Sequence, residues 1–236
     1  MKYRGESCAK ALARPLIWTH AQSLLGSRFT QSASVFLAGQ TGCDIPQAMS
    51  LGIPLSMLYA VESDREAWRQ LSDTYESLQR PGGLHLIRND IVYVVNNLRD
   101  QVGFVYLDYC GTVNGPDQQT THDVVKLLSS GTVLSITHER GRTDRYHDEL
   151  QRQLYVWQVV QESTSLQVIP TQGIMYQSTS PMMTLTYYLG PTSRQSYQHF
   201  TIKGNALYVQ QKEYSSFQSF ASCFQGMGDS PQACGA

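Results

Sequence analysis

No part of the chain narrows the choice of folds as much as the stretch from Val35 to Asp64. It reads Val35-Phe-Leu-Ala-Gly39-Gln40-Thr41-Gly42-Cys-Asp-Ile-Pro46-Gln-Ala-Met-Ser-Leu-Gly52-Ile-Pro-Leu-Ser-Met57-Leu-Tyr-Ala-Val61-Glu62-Ser63-Asp64. A short apolar run ends in glycines, a helix-compatible segment follows, and a second apolar run ends in an acid. That is the order of a βαβ unit. Gly39 and Gly42 permit a tight turn and close approach of a ligand to the backbone, because neither carries a Cβ. Glu62 follows Gly42 by about twenty positions, where a carboxylate at a strand end can accept hydrogen bonds from two ribose hydroxyls. The bland alternative is a plain turn followed by a solvated acid.

The rest of the chain extends the same alternation. A helix is expected over Ser7–Ser27, continuous or broken near Pro15, followed by a strand at Val35–Ala38. Pro46 stands near the start of the next helix, where its missing N–H is tolerated, and Gly52 ends that helix. Leu58–Val61 is the second strand, Asp64–Tyr75 a helix and Leu84–Ile87 the third strand. Asp90 can cap a helix over Ile91–Leu98. Val102–Leu107 is the strongest strand and runs into Asp108-Tyr109-Cys110-Gly111. A helix over Thr121–Ser129 leads to a fifth strand at Thr132–Ile136. Strands separated by helices imply a mostly parallel sheet flanked by helices, an α/β fold whose ligands belong at the strands' carboxyl ends.

Beyond a helix at Tyr146–Val160, the pattern changes to strands at Leu166–Ile169, Gly173–Tyr176 and Met182–Leu189, consistent with an antiparallel closing pair. Thr201–Ile202 and Leu207–Val209 suit a small hairpin around Gly204-Asn205. The remainder is a tail rich in Ser, Gln and Gly. The organisation expected is an N-terminal helical extension at 1–34, a central domain at 35–190 and a C-terminal extension at 191–236. The 236 residues can bury a sizeable core.

Composition limits the partners. The formal net charge of −1 gives no global attraction for a polyanion, so any nucleic-acid contact needs a local basic patch. No apolar run approaches the roughly 18 residues of a membrane span, and Met1-Lys-Tyr-Arg lacks the apolar core of a signal peptide. A cytoplasmic protein with no membrane association is expected. Its cysteines, Cys8, Cys43, Cys110, Cys223 and Cys234, contain no CxxC and are not grouped with histidines at zinc spacing, so free thiols and no metal site are expected.

In these features the chain resembles the class I S-adenosylmethionine-dependent methyltransferases, over roughly Val35 to Leu189. Gly39-Gln40-Thr41-Gly42 matches that family's glycine loop, Glu62 with Ser63 its ribose-binding acid, and Asp90 with Ile91 its adenine-reading position. Asp108-Tyr109-Cys110-Gly111 matches the end of the family's fourth strand, which faces cofactor and acceptor. Leu37-Ala38 stands where the family has an acidic residue, and Cys43-Asp44 where it has a third glycine. The resemblance implies a Rossmann-like methyltransferase fold with S-adenosyl-L-methionine as cofactor.

The chemistry then falls to a few side chains. Asp108 can orient an amine or hydroxyl, and Tyr109 can stack on a planar acceptor or serve only as a wall. Cys110 is a candidate nucleophile for pyrimidine C5 chemistry, or a buried inert thiol. His138, Arg140 and Arg142, after the fifth strand, can hold phosphates, which suits a nucleic acid or nucleotide; a solvated loop neutralised by neighbouring acids is the alternative. A nucleic-acid or nucleotide methyltransferase is the leading expectation. A small-molecule methyltransferase and a catalytically inactive binding or scaffold module stand beside it.

Overall fold

A computed structural model describes residues 8–78, 83–109, 111, 113–139, 149–178, 180–191, 196–203 and 206–213. Within them lies a nine-stranded sheet, ordered β3-β2-β1-β4-β5-β7-β6-β8-β9. Its strands are β1 (Ala33–Leu37), β2 (Leu58–Val61), β3 (His85–Ile87), β4 (Val102–Asp108), β5 (Val133–Glu139), β6 (Val168–Gln177), β7 (Pro181–Leu189), β8 (Ser196–Lys203) and β9 (Ala206–Glu213). β1 to β5 pair in parallel, β7 inserts antiparallel between β5 and β6, and β8 pairs parallel with β6. The strand order reverses at β1, between β2 and β4, which opens a crevice at the carboxyl ends of those strands.

Among the described residues six α-helices cover the two faces: α1 (Cys8–Leu25), α2 (Asp44–Ser50), α3 (Arg65–Tyr75), α4 (Ile91–Leu98), α5 (Gly115–Val125) and α6 (Glu149–Glu162). Because side chains alternate along a strand, β4 feeds both layers. Phe104 and Tyr106 join the layer under α1, α2 and α3, with Trp18, Phe36, Ile45 and Leu71. Val105 and Leu107 join the other, with Val94 of α4, Val124 of α5 and Val160 of α6. Trp18 is fully buried and meets Phe36 and Phe104 edge-on, at centroid distances of 5.5 Å and 4.9 Å. Each such pair adds about 0.5–1.5 kcal/mol beyond area burial, so α1 is locked to the centre of the sheet.

Several elements differ in extent from the sequence pattern. α1 continues through Pro15. α5 begins at Gly115 rather than Thr121, since Pro116 sits in the first turn, where its lost N–H needs no partner. The strands expected at Leu166–Ile169 and Gly173–Tyr176 are one strand, β6, with a register shift between Pro170 and Gln172 that absorbs the proline. The small hairpin expected after Gly190 is longer and hydrogen-bonded to β6, so it extends the main sheet. Helix residues expected at 146–148 and the tail after residue 213 lie outside the described residues.

Candidate active site

The loop after β1 is built on two left-handed glycines. Gly39 has φ +58° and Gly42 φ +56°, a region costly for residues with a Cβ. A Cβ on Gly42 would also fall 2.5 Å from Leu71 Cδ1 and 2.8 Å from Tyr75 Cε2. The loop closes on itself, Gly42 N–H donating to the Ala38 carbonyl and Ile45 N–H to that of Gly42. From α3 the Tyr75 hydroxyl donates to the carbonyls of Thr41 and Gly42, at 3.3 Å and 3.1 Å. Gly39 and Gln40 are half-buried and Thr41 is exposed, so the loop presents backbone at the crevice mouth.

Glu62 ends β2 beside this loop. It is 9% exposed, and its Oε1 accepts from the backbone N–H of Asp64 at 2.8 Å. Burial pushes its carboxyl above the ordinary range, and the backbone donors of Asp64 and Ser63 only partly offset that. Ser63 is exposed at the turn, and Asp64 caps α3 through the N–H groups of Glu66 and Ala67. Asp90 lies one strand further along, after β3, where Val92 N–H donates to its Oδ1 at 2.8 Å. It remains exposed while Ile91 packs into the core. Gly39, Gly42, Glu62 and Asp90 thus follow three adjacent parallel strands along one edge of the sheet.

Asp108 ends β4 on the α1 side of the sheet. Lys10 Nζ of α1 lies 2.6 Å from its Oδ2. One helical turn on, Arg14 Nε donates to Asp44 Oδ1 at 3.0 Å, and Trp18 Nε1 donates to the same oxygen at 2.7 Å. Burial works against the charges of both Asp44 and Lys10. For Lys10 the attraction of Asp108 prevails and its ammonium titrates above the ordinary range. Beyond Asp108, Tyr106, Thr137 and Thr184 form a hydroxyl chain across β4, β5 and β7. Tyr106 is pushed far above the ordinary tyrosine range by burial and by Asp108, so it acts as a neutral donor or acceptor.

Tyr109 points the other way. It is 6% exposed under α5, with its hydroxyl 3.1 Å from that of Thr121, and burial raises its titration well beyond the physiological range. Its ring belongs to the apolar layer that holds Val124 and Val125 of α5. His138 lies within β5, which runs on to Glu139, and is buried with Nδ1 3.1 Å from the Glu139 carbonyl. Cys110, Arg140 and Arg142 lie outside the described residues. Among the described residues no group of three or more His, Cys, Asp or Glu could hold a metal, and no helix is long and apolar enough to cross a membrane.

Sequence reasoning missed Lys10, Arg14 and Asp44. Asp44 carried a signal, an acid directly after the glycine loop. Lys10 and Arg14 stand four positions apart on a helix, a spacing that puts both on one face, but nothing local pairs them with acids distant in the chain.

The strand order and the antiparallel β7 are those of the class I Rossmann-like methyltransferase fold, and comparison with solved structures agrees. The type IIG restriction endonuclease BpuSI superposes on 90% of this chain with a TM-score of 0.59 at 10% identity. The chain spans only 32% of that protein's length. Magnesium protoporphyrin IX methyltransferase from Synechocystis PCC 6803, solved with bound SAM, matches 80% of this chain and 87% of its own, with a TM-score of 0.54 at 10% identity. The M. jannaschii tRNA m1G37 methyltransferase matches 80% of this chain and 52% of its own, with a TM-score of 0.51 at 11% identity. No family profile and no curated protein sequence matches the chain. The chain therefore has the methyltransferase fold, established by structure at identities where sequence comparison finds nothing.

Proposed function

We propose that this protein is an S-adenosyl-L-methionine-dependent methyltransferase acting on a nucleic acid or nucleotide. One observation carries the cofactor part: Glu62 is a buried carboxylate at the crevice that accepts from backbone N–H groups, with no cation beside it among the described residues. Such a group, next to a loop of left-handed glycines, fits two ribose hydroxyl donors. Gly39, Gln40, Thr41 and Gly42 would hold the methionine end, Glu62 and Ser63 the ribose, Asp90 and Ile91 the adenine. When bound, the cofactor supplies a methyl on a positively charged sulfur, which keeps the bonding electrons as an acceptor lone pair takes the methyl.

The chain's own residues align the acceptor and exclude water. Asp108, on the same edge of the sheet, is the group nearest the acceptor, and α1 closes that end from above. The nucleic-acid part draws on two neighbours, one a tRNA methyltransferase and one a restriction endonuclease; the porphyrin enzyme keeps a small-molecule acceptor as the second reading.

Calorimetric titration with S-adenosylmethionine and S-adenosylhomocysteine tests the cofactor. Micromolar binding is expected, weakened at least tenfold in Glu62→Ala. No binding of either ligand overturns the enzyme reading in favour of a scaffold module. A labelled-methyl screen over DNA, RNA and porphyrin then separates the acceptor classes.

A further inference from the structure

α1 sets two cations one turn apart, Lys10 and Arg14, over two carboxylates from different parts of the fold. Arg14 and Asp44 make a closed structural pair, with Trp18 as a second donor to Asp44. The Lys10–Asp108 pair is not closed. Lys10 engages Oδ2, while Oδ1 is buried with no hydrogen-bond partner among the described residues. A buried carboxylate oxygen without a donor is costly, and a catalytic or binding role is one of the recognised reasons for retaining it.

The place of the pair bears on what that oxygen can do. Asp44 directly follows the glycine loop and Asp108 ends β4, so the charge cluster spans the interval between the loop assigned to the methionine end of the cofactor and the strand end assigned to the acceptor. Among the described residues Asp108 faces Lys10 from α1, Asp44 from α2, Tyr106 of its own strand and Tyr176 from β6, and Arg14 joins the cluster through Asp44. Two cations and two acids sum to zero. Without Lys10 the cluster would carry a net negative charge beside a cationic sulfonium. That charge would favour the bound cofactor over the transition state, in which the sulfur gives up its charge, and binding of that kind adds nothing to rate.

We propose that Lys10 is a positioning residue of this site, anchoring Asp108 through Oδ2 and cancelling its charge toward the sulfonium, so that Oδ1 is kept for an N–H or O–H donor of the methyl acceptor. This rests on the S-adenosylmethionine reading above. It assigns α1, which the family resemblance does not cover, a direct part in the site.

The test is the ratio of affinities for S-adenosylmethionine, which is cationic at sulfur, and S-adenosylhomocysteine, which is not. Calorimetry at pH 8 on the full chain compares wild type, Lys10→Met, Lys10→Arg and the double variant Lys10→Met/Asp108→Asn. Lys10→Met is expected to raise the preference for S-adenosylmethionine about tenfold, while Lys10→Arg and the double variant keep the wild-type ratio. A merely structural lysine would move both affinities together. If Lys10→Met does not fold, Asp108→Asn carries the test in the opposite sense, since it leaves the lysine charge bare and the ratio must fall. An unchanged ratio in variants that bind both ligands overturns the role of Lys10 alone. Failure of wild type to bind either ligand overturns the cofactor reading, and this proposal with it.

Discussion

Glu62 and Asp108 are the same chemistry held in opposite ways. Each stands at the carboxyl end of a strand beside β1, Glu62 just after β2 and Asp108 as the last residue of β4, in the parallel part of the sheet. Glu62 is supported by backbone N–H groups alone, and burial raises its titration above the ordinary range. Asp108 is matched by a lysine, next to a second ion pair. On the proposed reading, the β2 side receives neutral donors such as ribose hydroxyls. The β4 side is neutral as a unit, and directs one oxygen rather than a net charge. An acid in a crevice therefore says little about ligand chemistry until its partners are known.

The comparison can be broken hardest at Arg14. Arg14→Leu strands Asp44, whose side chain is 3% exposed, without its cation. Loss of one partner from a buried pair costs about 3–5 kcal/mol, and a denaturant titration is expected to show a drop of that order. Arg14→Leu combined with Asp44→Leu removes the stranded charge and is expected to recover much of the loss. A drop below about 1 kcal/mol in the single variant would mean that α1 is held by Trp18 and its aromatic contacts alone.

A middle-sized effect separates caps from contacts. Asp64 and Asp90 both accept backbone N–H groups at the start of a helix, α3 and α4 respectively. Replacing either by alanine is expected to cost about 1 kcal/mol of stability. Only Asp90→Ala is expected also to weaken S-adenosylmethionine binding, since the proposed function assigns Asp90 and not Asp64 to the adenine. Equal ligand affinities in the two variants would reduce Asp90 to a cap.

The sequence carried the first of these sites more clearly than the second, for a physical reason. Glycines in left-handed turns, a capping aspartate and an acid ending an apolar run are all local signals, and β1 to β5 follow from short-range periodicity. The pairing of β8 with β6 is non-local, since neither strand's residues name a partner, and a bulge at Pro170 hid the continuity of β6. Lys10 and Asp108 fall in the same class. Each is an ordinary charged residue in its own segment, and only the docking of α1 across the sheet makes them a pair.

The smallest effect is the most specific to Glu62. Its carboxyl titrates above the unfolded-state value because burial disfavours the charge. The folded state therefore binds the proton more tightly than the unfolded state, and stability falls as pH rises from the ordinary carboxylate range through the raised value. Glutamine does not titrate, yet its carbonyl can still accept from Asp64 N–H. Glu62→Gln should match wild type in thermal unfolding near pH 4 and be slightly more stable at pH 7, while binding S-adenosylmethionine about tenfold more weakly. A variant that gains stability and loses affinity marks a group retained for a ligand at the expense of the fold. The reverse pattern, wild type gaining on the variant as pH rises, would mean that the carboxylate is satisfied within the protein. Glu62 would then be held much as Asp108 is, and the contrast between the two ends of the site would disappear.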